Sequence, residues 1–223
     1  MEKTMIEPRA KVSHFINQGF ELTGIIHIGA NDGEEVPSYK EMGIKNVMCI
    51  EPIPEKCAEI RERYPYVHVI NCAAGGFNHN DILFTTSGDG MQGSSFYEGR
   101  KKDFYWPAPV SDKIMVKVMR MDTVLKNINI EDYNCIVIDV QGYEGEVLIG
   151  FGNIVPMFPF WSIECSADPI YIGGWPAREV VSFMDKNGFI QDSPIEPHND
   201  VFFIDKKIKP VSDMIYRGGL LEA

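Results

Sequence analysis

The sequence is short of basic residues, of long apolar runs and of paired cysteines. Its 21 lysines and arginines face 32 acidic residues, and the net charge of −11 disfavours non-specific binding to nucleic acid or anionic membranes. No apolar run approaches the roughly 20 residues of a membrane span, and the first residues lack the apolar centre of a secretion signal. These features predict a soluble cytoplasmic protein without a nucleic-acid or membrane partner.

The five cysteines include no C-x-x-C pair, and four of them lie in apolar, strand-like runs. This usage is typical of buried free thiols in a reducing compartment, and it favours neither disulfides nor a metal site. A chain of 223 residues without internal repeats or an obvious linker fits one domain. We expect a single domain over residues 1–223, with an N-terminal helix within 1–22 and a C-terminal tail over 206–223.

Short apolar runs alternate with helical patterns along the chain. Five runs are apolar enough for strands buried on both faces of a parallel sheet: Thr23–Gly29, Asn46–Pro52, Val67–Ala74, Asn134–Val140 and Phe160–Ser166. Helices are predicted at Glu34–Met42, Glu55–Arg63, Thr123–Ile128, Glu144–Phe151 and Ala177–Asn187. This alternation predicts βαβ units and an α/β fold with both sheet faces covered.

Two segments depart from plain alternation. Asp81–Thr86 and Met115–Asp122 are predicted as extra strands between the third and fourth main strands. Phe189–Asp192 and Val201–Asp205 are too close in sequence for a helical crossover, so the last strand should pair antiparallel with its predecessor.

A turn rich in glycine follows the first predicted strand, in TGIIHIGANDGEEV. Gly29 and Gly33 permit a tight turn whose backbone amides can approach a ligand, and the helix that follows adds positive potential. Glu51 ends the second strand, 22 residues after Gly29, where a carboxylate can accept hydrogen bonds from a ribose diol. Together they predict an adenosyl-nucleoside site; a chance turn and a solvated carboxylate are the alternative.

Carboxylates also end two later strands. Asp139 closes the fourth main strand, and Glu164 holds the comparable place in the next one. Such a pair can polarise a substrate hydroxyl, raise the pKa of one of its members or bind a cation, the cation being the least favoured use. Glu144 opens a helix, where it serves either chemistry or simple helix capping.

Seven motifs, in order, resemble FkbM-type S-adenosylmethionine-dependent methyltransferases. They are GANDG from Gly29, CIEPIPE from Cys49, NCAA from Asn71, GSSF from Gly93, MDTVL from Met121, IDVQGYEGEVL from Ile138 and NDVFFI from Asn199. The resemblance covers Gly24 to Asp205. It implies a three-layer, Rossmann-like class I methyltransferase with a seven-stranded, mostly parallel sheet whose last strand is antiparallel, and S-adenosyl-L-methionine as cofactor.

The resemblance also implies roles for individual residues. The glycine turn would face the methionine part of the cofactor, Glu51 would hold the ribose, and Ile53 and Ala73 would border the adenine. Many class I enzymes carry an acidic residue after the third strand, where this chain has Ala73-Ala74-Gly75-Gly76, which leaves adenine recognition to backbone and shape. The expected cofactor contacts are Gly29, Ala30, Asn31, Asp32, Gly33, Glu51, Pro52, Ile53, Ala73, Ser95, Asp139 and Gln141.

For the reaction, we expect O-methylation of a hydroxyl on a small molecule, natural product or saccharide. Asp139 is the expected base or orienter of the hydroxyl, with Glu164 and Glu144 as alternates and no metal. N-methylation of a peptide side-chain amide, an NAD-dependent oxidoreductase and a silent nucleoside-binding protein stay open; the oxidoreductase is disfavoured because the turn lacks G-x-G-x-x-G. Acceptor recognition is assigned to two loops, Tyr97–Lys113 with its basic triplet Arg100-Lys101-Lys102 and Tyr171–Trp175, and His198 is a further candidate.

Overall fold

The computed structural model describes residues 10–87, 91–99, 110–196 and 199–209. Its strands are, in chain order, β1 (Gly24–Ile28), β2 (Asn46–Glu51), β3 (His68–Asn71), β4 (Ala73–Ala74), β5 (His79–Ser87), β6 (Val110–Met119), β7 (Cys135–Ile138), β8 (Phe160–Cys165), β9 (Phe189–Gln191) and β10 (Asn199–Asp205). Its α-helices are α1 (Ala10–Asn17), α2 (Val36–Glu41), α3 (Pro54–Arg63), α4 (Met121–Val124), α5 (Glu144–Phe151) and α6 (Ala177–Lys186). Among these described helices, none is long and apolar enough to cross a membrane.

The main sheet of the described chain has seven strands, in the order β3-β2-β1-β7-β8-β10-β9. Neighbours pair in parallel from β3 to β8, whereas β10 runs antiparallel to both β8 and β9. The predicted mostly parallel α/β sheet with a reversed last strand is therefore confirmed. The direction of winding switches between β1 and β7, whose ends meet where Ile28 pairs with Ile138; open α/β sheets bind their ligands at such a switch point.

Alternate residues of the buried strands pack on opposite faces of the main sheet. Ile26 and Ile136 belong to one apolar cluster, which includes side chains of α5 and α6, and we call this side the α5 face. Ile25 and Val137 belong to a second cluster, which includes side chains of α1 and α2, and we call it the α1 face. Because both faces are covered, both parities of these strands are apolar.

A second sheet of three strands, in the order β4-β6-β5, stands beside the main one. The predicted strand Val67–Ala74 is in fact divided: β3 stays in the main sheet, and β4, beyond the buried Cys72, pairs with β6. The strand predicted at Met115–Asp122 is displaced toward the N-terminus, because α4 already begins at Met121. Asp122 therefore lies within the first turn of α4, and its carboxylate accepts a hydrogen bond from the Arg120 guanidinium.

Glycines mark the ends of two helices. Gly43 and Gly188 lie just beyond α2 and α6 with φ of +83° and +92°, the left-handed backbone that glycine adopts at little cost. The predicted helix Thr123–Ile128 is instead the short α4 followed by a 3-10 turn. The basic triplet Arg100-Lys101-Lys102, most of the loop that contains it, His198 and the tail from 210 onward lie outside the described residues.

Candidate active site

The turn after β1 brings the backbone of two strands into close approach. Gly29 donates its amide to the Ile50 carbonyl at 2.9 Å, and the Asp139 amide donates to the Ile28 carbonyl at 3.0 Å. Gly29 has φ of +84°, and a Cβ there would lie 1.8 Å from the Asp139 carbonyl oxygen. This position therefore requires glycine both for its backbone angle and for the absence of a side chain.

Glu51, at the end of β2, folds back over the same turn. Its Oε2 accepts from the Asn31 amide and its Oε1 from the Ile53 amide, each at 2.9 Å. The side chain is only 4% exposed, and burial raises its pKa to about 7. A carboxylate offers about four acceptor positions, so two remain on Glu51 for an adjacent diol.

A cleft of about 510 Å³, open to solvent, lies between the turn, Glu51 and the second sheet. Its apolar wall consists of Ile28, Ile50, Ile53, Ala73, Phe84 and Phe96. Asn31 lines the cleft with a polar side chain, and its buried Oδ1 has no hydrogen-bond partner in the described chain. An unpaired buried acceptor of this kind is costly unless a ligand completes it.

Of the twelve expected cofactor contacts, eight line this cleft: Gly29, Asn31, Glu51, Pro52, Ile53, Ala73, Asp139 and Gln141. The other four lie off its wall. Ala30 is buried in the α1 face, Asp32 pairs with Arg63 at 3.2 Å, and Gly33 packs beside Ile60. The hydroxyl of the fourth, Ser95, donates to the Gln141 carbonyl at 2.7 Å and so fixes the neighbouring turn.

Three side chains meet where the cleft ends at β7 and β8. The amide nitrogen of Gln141 donates to Asp139 Oδ1 at 2.6 Å and to Glu164 Oε2 at 3.0 Å. The Tyr171 hydroxyl donates to the amide oxygen of Gln141 at 2.9 Å, which fixes the orientation of the amide. Gln141 also has left-handed backbone, with φ of +56°, so its position is held at some conformational cost.

The two carboxyl groups joined by Gln141 differ in protonation. Burial acts to raise the pKa of Asp139, but the nearby Lys11 ammonium and hydrogen bonds from Glu164, Lys11 and Gln141 lower it below its usual range. Burial, then the charge of Asp139, raise the pKa of Glu164 well above its usual value. At neutral pH the pair therefore carries one negative charge, on Asp139, and one proton, on Glu164.

A second pocket of about 350 Å³ begins on the other side of Gln141. Its wall includes Glu144, Glu164, Tyr171 and Trp175, and no lysine or arginine lines it in the described chain. Trp175 packs flat on α5, since a Cβ at Gly145 would lie 2.3 Å from its ring. The predicted loop Tyr171–Trp175 thus borders this pocket.

Glu144 holds the turn between the two pockets. Its Oε1 accepts from the amides of Gly142 at 3.0 Å and Val140 at 3.4 Å. Burial raises its pKa to about 7. These amides belong to the turn before α5, and among the described residues no side-chain hydrogen bond caps the helix itself, so Glu144 braces the turn and its expected alternate role in the reaction stays a prediction. Within the described ranges, no group of three or more His, Cys, Asp or Glu side chains is arranged to hold a metal ion.

Two side chains of this site, those of Lys11 and Asp200, were not predicted from the sequence. Lys11, on α1, reaches Asp139 at 2.8 Å, and Asp200, on β10, is the register partner of Glu164. The sequence carried a signal for Asp200, because the alternation in NDVFFID places it on the same sheet face as Asp139 and Glu164. Lys11 left a weaker signal, a cation beside the apolar positions Val12 and Phe15.

The strand order, the reversed β10, the glycine turn and the acid that ends β2 define a class I methyltransferase fold. Comparison with known proteins gives the family: the profile of the methyltransferase FkbM domain matches residues 27–190. The chain belongs to the FkbM methyltransferase family, and the prediction of an S-adenosylmethionine-dependent methyltransferase is confirmed. Membership also decides against the oxidoreductase alternative.

Two relatives show how far the likeness extends. The 2-O-methyltransferase NoeI of Sinorhizobium fredii is 24% identical over 194 residues, which cover 82% of this chain and 80% of that protein. The crystal structure of methyltransferase FkbM from Methylobacillus flagellatus superposes with a TM-score of 0.51 at 14% identity, over 89% of this chain. This chain spans half the length of that structure, and the likeness supports the fold.

Proposed function

We propose that this enzyme transfers a methyl group from S-adenosyl-L-methionine to a hydroxyl of an uncharged small molecule, such as a saccharide or a hydroxylated natural product. The observation that carries the proposal is the position of the Asp139–Glu164 pair. Asp139 lines the cleft of the glycine turn, Glu164 lines the second pocket, and Gln141 lines both. A methyl donor in the first and an acceptor in the second would meet at these carboxyl groups.

The cleft fits the cofactor by its chemistry. Glu51 has two acceptor positions free for the ribose diol, and the apolar side chains around Ile53 and Phe84 suit the adenine ring. The unpaired Oδ1 of Asn31 can accept from the ammonium of the methionine part. When bound, the cofactor supplies an electrophilic methyl group on a sulfonium.

Asp139 is the group we assign to the proton. As the acceptor oxygen gained the methyl group, Asp139 would take the hydroxyl proton, and the electron pair of the broken carbon–sulfur bond would leave with the sulfur of the donor. A weakly basic carboxylate suffices, because the hydroxyl becomes strongly acidic once its oxygen is alkylated. Gln141 and Glu164 hold Asp139 in place by hydrogen bonds, so positioning and proton acceptance are combined at one group.

The lining of the second pocket indicates the class of acceptor. Carboxyl groups at Glu144 and Glu164 can bind hydroxyls, the described lining holds no lysine or arginine to pair with an anion, and Trp175 offers ring surface to the apolar face of a sugar. The name of the relative NoeI, a 2-O-methyltransferase, agrees with oxygen as the acceptor atom.

Thermal shift with S-adenosylhomocysteine, S-adenosylmethionine and NAD tests the cofactor. Ligand at 100 times its Kd adds about 2.7 kcal/mol of stability, and we expect this with both adenosyl ligands and not with NAD. A shift with NAD alone would overturn the proposal. A labelled-methyl screen over neutral saccharides, hydroxylated ring compounds and Asn- or Gln-containing peptides then identifies the acceptor; label on an amide nitrogen would assign N-methylation instead.

A further inference from the structure

A buried lysine lies among the carboxyl groups of the site. The side chain of Lys11 is 13% exposed, and its Nζ lies 2.8 Å from Asp139 Oδ2 and 3.9 Å from Asp200 Oδ1. Burial acts to lower its pKa, but the charges of Asp139, Asp200, Glu35 and Glu164 raise it well above the usual value. Lysine is rarely buried without a partner, and here it stays a cation.

Strand parity explains why these groups meet. Ile138, Ile163 and Val201 all pack in the core of the α5 face. Successive residues of a strand point to opposite faces. Asp139 and Glu164, which follow the first two, and Asp200, which precedes the third, therefore turn to the α1 face. Of the helices on this face, α1 is the one that lies over β8, and it packs there through Val12 and Phe15.

A second set of contacts fixes α1 on the sheet. His14 Nε2 lies 2.8 Å from Asp192 Oδ2, and Gln18 Nε2 donates to the same oxygen at 2.7 Å. Lys209, on the chain beyond β10, reaches Asp192 Oδ1 at 2.6 Å. Lys11 and His14, three residues apart, lie on one face of α1, and Gln18 follows directly after the helix ends. Lys11 is therefore placed by a docked helix rather than by a mobile loop.

Of the titratable groups described around Lys11, Asp139 is the nearest to its ammonium, at 2.8 Å against 3.9 Å for Asp200. His27 is buried, and desolvation, then the Lys11 charge, lower its pKa to about 3, so it is neutral. Burial raises the pKa of Glu35 to about 7 and also raises that of Asp200. Burial likewise raises the pKa of Tyr39, whose hydroxyl lies 3.2 Å from His27 Nδ1. Asp139 is the carboxyl in direct contact with the ammonium.

We propose that Lys11 is a positioning residue for methyl transfer: its ammonium fixes the Asp139 carboxylate, as an anion, against Gln141 at the end of the cofactor cleft. The inference rests on the proposed function and extends it to α1, which lies before the part of the chain that the family profile matches. Lys11 binds Oδ2 of Asp139 and Gln141 binds Oδ1. Both oxygens are thus held, and the proton of the pair stays on Glu164.

The test replaces Lys11 by methionine and follows Asp139 directly. Carbon-13 NMR of the aspartate carboxyls, with the Asp139 signal assigned from Asp139→Asn, reports its titration without any acceptor. An adjacent cation lowers an aspartate pKa by about 1–3 units. We expect the Asp139 midpoint to rise by at least ~1 pH unit in Lys11→Met, and the acid limb of turnover to move the same way once an acceptor is known.

Lys209→Met is the matched control, since Lys209 has the same 13% exposure and pairs with a buried aspartate that also contacts α1. It should loosen the docking of α1 and leave the Asp139 midpoint in place. An unmoved midpoint in Lys11→Met, or an equal shift in Lys209→Met, would overturn the proposal. Lys11→Arg keeps the cation and should keep both the Asp139 midpoint and turnover. If Lys11→Met does not fold, Lys11→Arg becomes the test, and a shifted Asp139 midpoint in the folded Lys11→Arg protein would overturn the proposal.

Failure of the proposed function gives a different result. In that case wild-type protein fails to bind S-adenosylhomocysteine or to methylate any hydroxyl, whatever the NMR titration shows. In the expected case, the Kd for S-adenosylhomocysteine is the same in Lys11→Met and wild type, and single-turnover transfer at neutral pH falls by ~10-fold or more.

Discussion

The cofactor cleft and the carboxyl cluster beneath α1, formed by Asp139, Glu164 and Asp200, lie at the same edge of one sheet but are built differently. In the cleft, backbone amides of Asn31 and Ile53 orient Glu51, and the decisive feature at Gly29 is the absence of a side chain. In the cluster, side chains hold one another: Lys11, Gln141 and Glu164 all act on Asp139. Adding an atom should damage the first region, and removing a charge should damage the second.

The difference teaches where each region is vulnerable. A backbone-built site tolerates changes of those side chains that do not bind the ligand, as long as the turn keeps its path. A cluster of buried charges depends on every partner, because a charge left unpaired in the interior costs several kcal/mol. The following substitutions separate these two kinds of dependence.

The largest effect should come from Gly29→Ala. Gly29 and Gly43 have nearly equal φ, +84° and +83°, but a Cβ at Gly43 meets nothing within 4 Å, whereas at Gly29 it meets the Asp139 carbonyl. Gly43→Ala should lower the free energy of unfolding by about 1–2 kcal/mol, the cost of left-handed backbone. Gly29→Ala should lower it by about 3 kcal/mol or more, since overpacking is added. Urea unfolding measures both, and equal losses would contradict the steric argument.

Asp139→Asn should come next. It keeps the shape of the side chain but removes the charge that pairs with Lys11 and the group we assign to the proton. Turnover should fall by ~10²-fold or more while the Kd of S-adenosylhomocysteine is nearly unchanged. Asp132→Asn, on an exposed 3-10 turn, is the control. An equally active Asp139→Asn would remove Asp139 from the reaction.

Glu51→Gln tests the cleft by its hydrogen bonds alone. Bonds to a charged acceptor contribute about 1.5–3 kcal/mol each, so the affinity for S-adenosylhomocysteine should weaken by roughly 10- to 100-fold. Turnover at saturating methyl donor should hardly change. Glu62→Gln, at an exposed position of α3, should bind as wild type does. Calorimetry measures both, and unaltered binding by Glu51→Gln would show that the ribose lies elsewhere.

The pH dependence of stability is the least residue-specific test, because it is spread over several groups and involves both regions. Burial raises the pKa of Glu35, Glu51 and Glu144 to about 7. Between the ordinary carboxyl value and about 7 the folded chain binds more protons than the unfolded chain, so stability should fall as the pH rises through this window. Urea unfolding at pH 5 and pH 8 measures the fall, which Glu51→Gln should make shallower. A flat or rising profile would contradict the raised values.

The cleft could be predicted because its parts are local. A strand, a glycine turn and a helix follow one another from Thr23, and the acid at the end of the next parallel strand must lie beside that turn. Four of the expected contacts, Ala30, Asp32, Gly33 and Ser95, do not line the cleft and stay predictions. Sequence spacing does not say which residues of a tight turn face the cleft, nor which turn a distant residue such as Ser95 will support.

The sequence by itself determined the parallel sheet, the reversed last strand and the glycine turn with its acid, since hydrophobic periodicity and short connections constrain each of them. Only the tertiary structure decided that Lys11 meets Asp139, 128 residues away, and that the strand expected at Val67–Ala74 divides between two sheets. Contacts of that kind depend on which helix covers which face and on the parity of distant strands. Packing of the whole chain sets both, and a local pattern does not encode them.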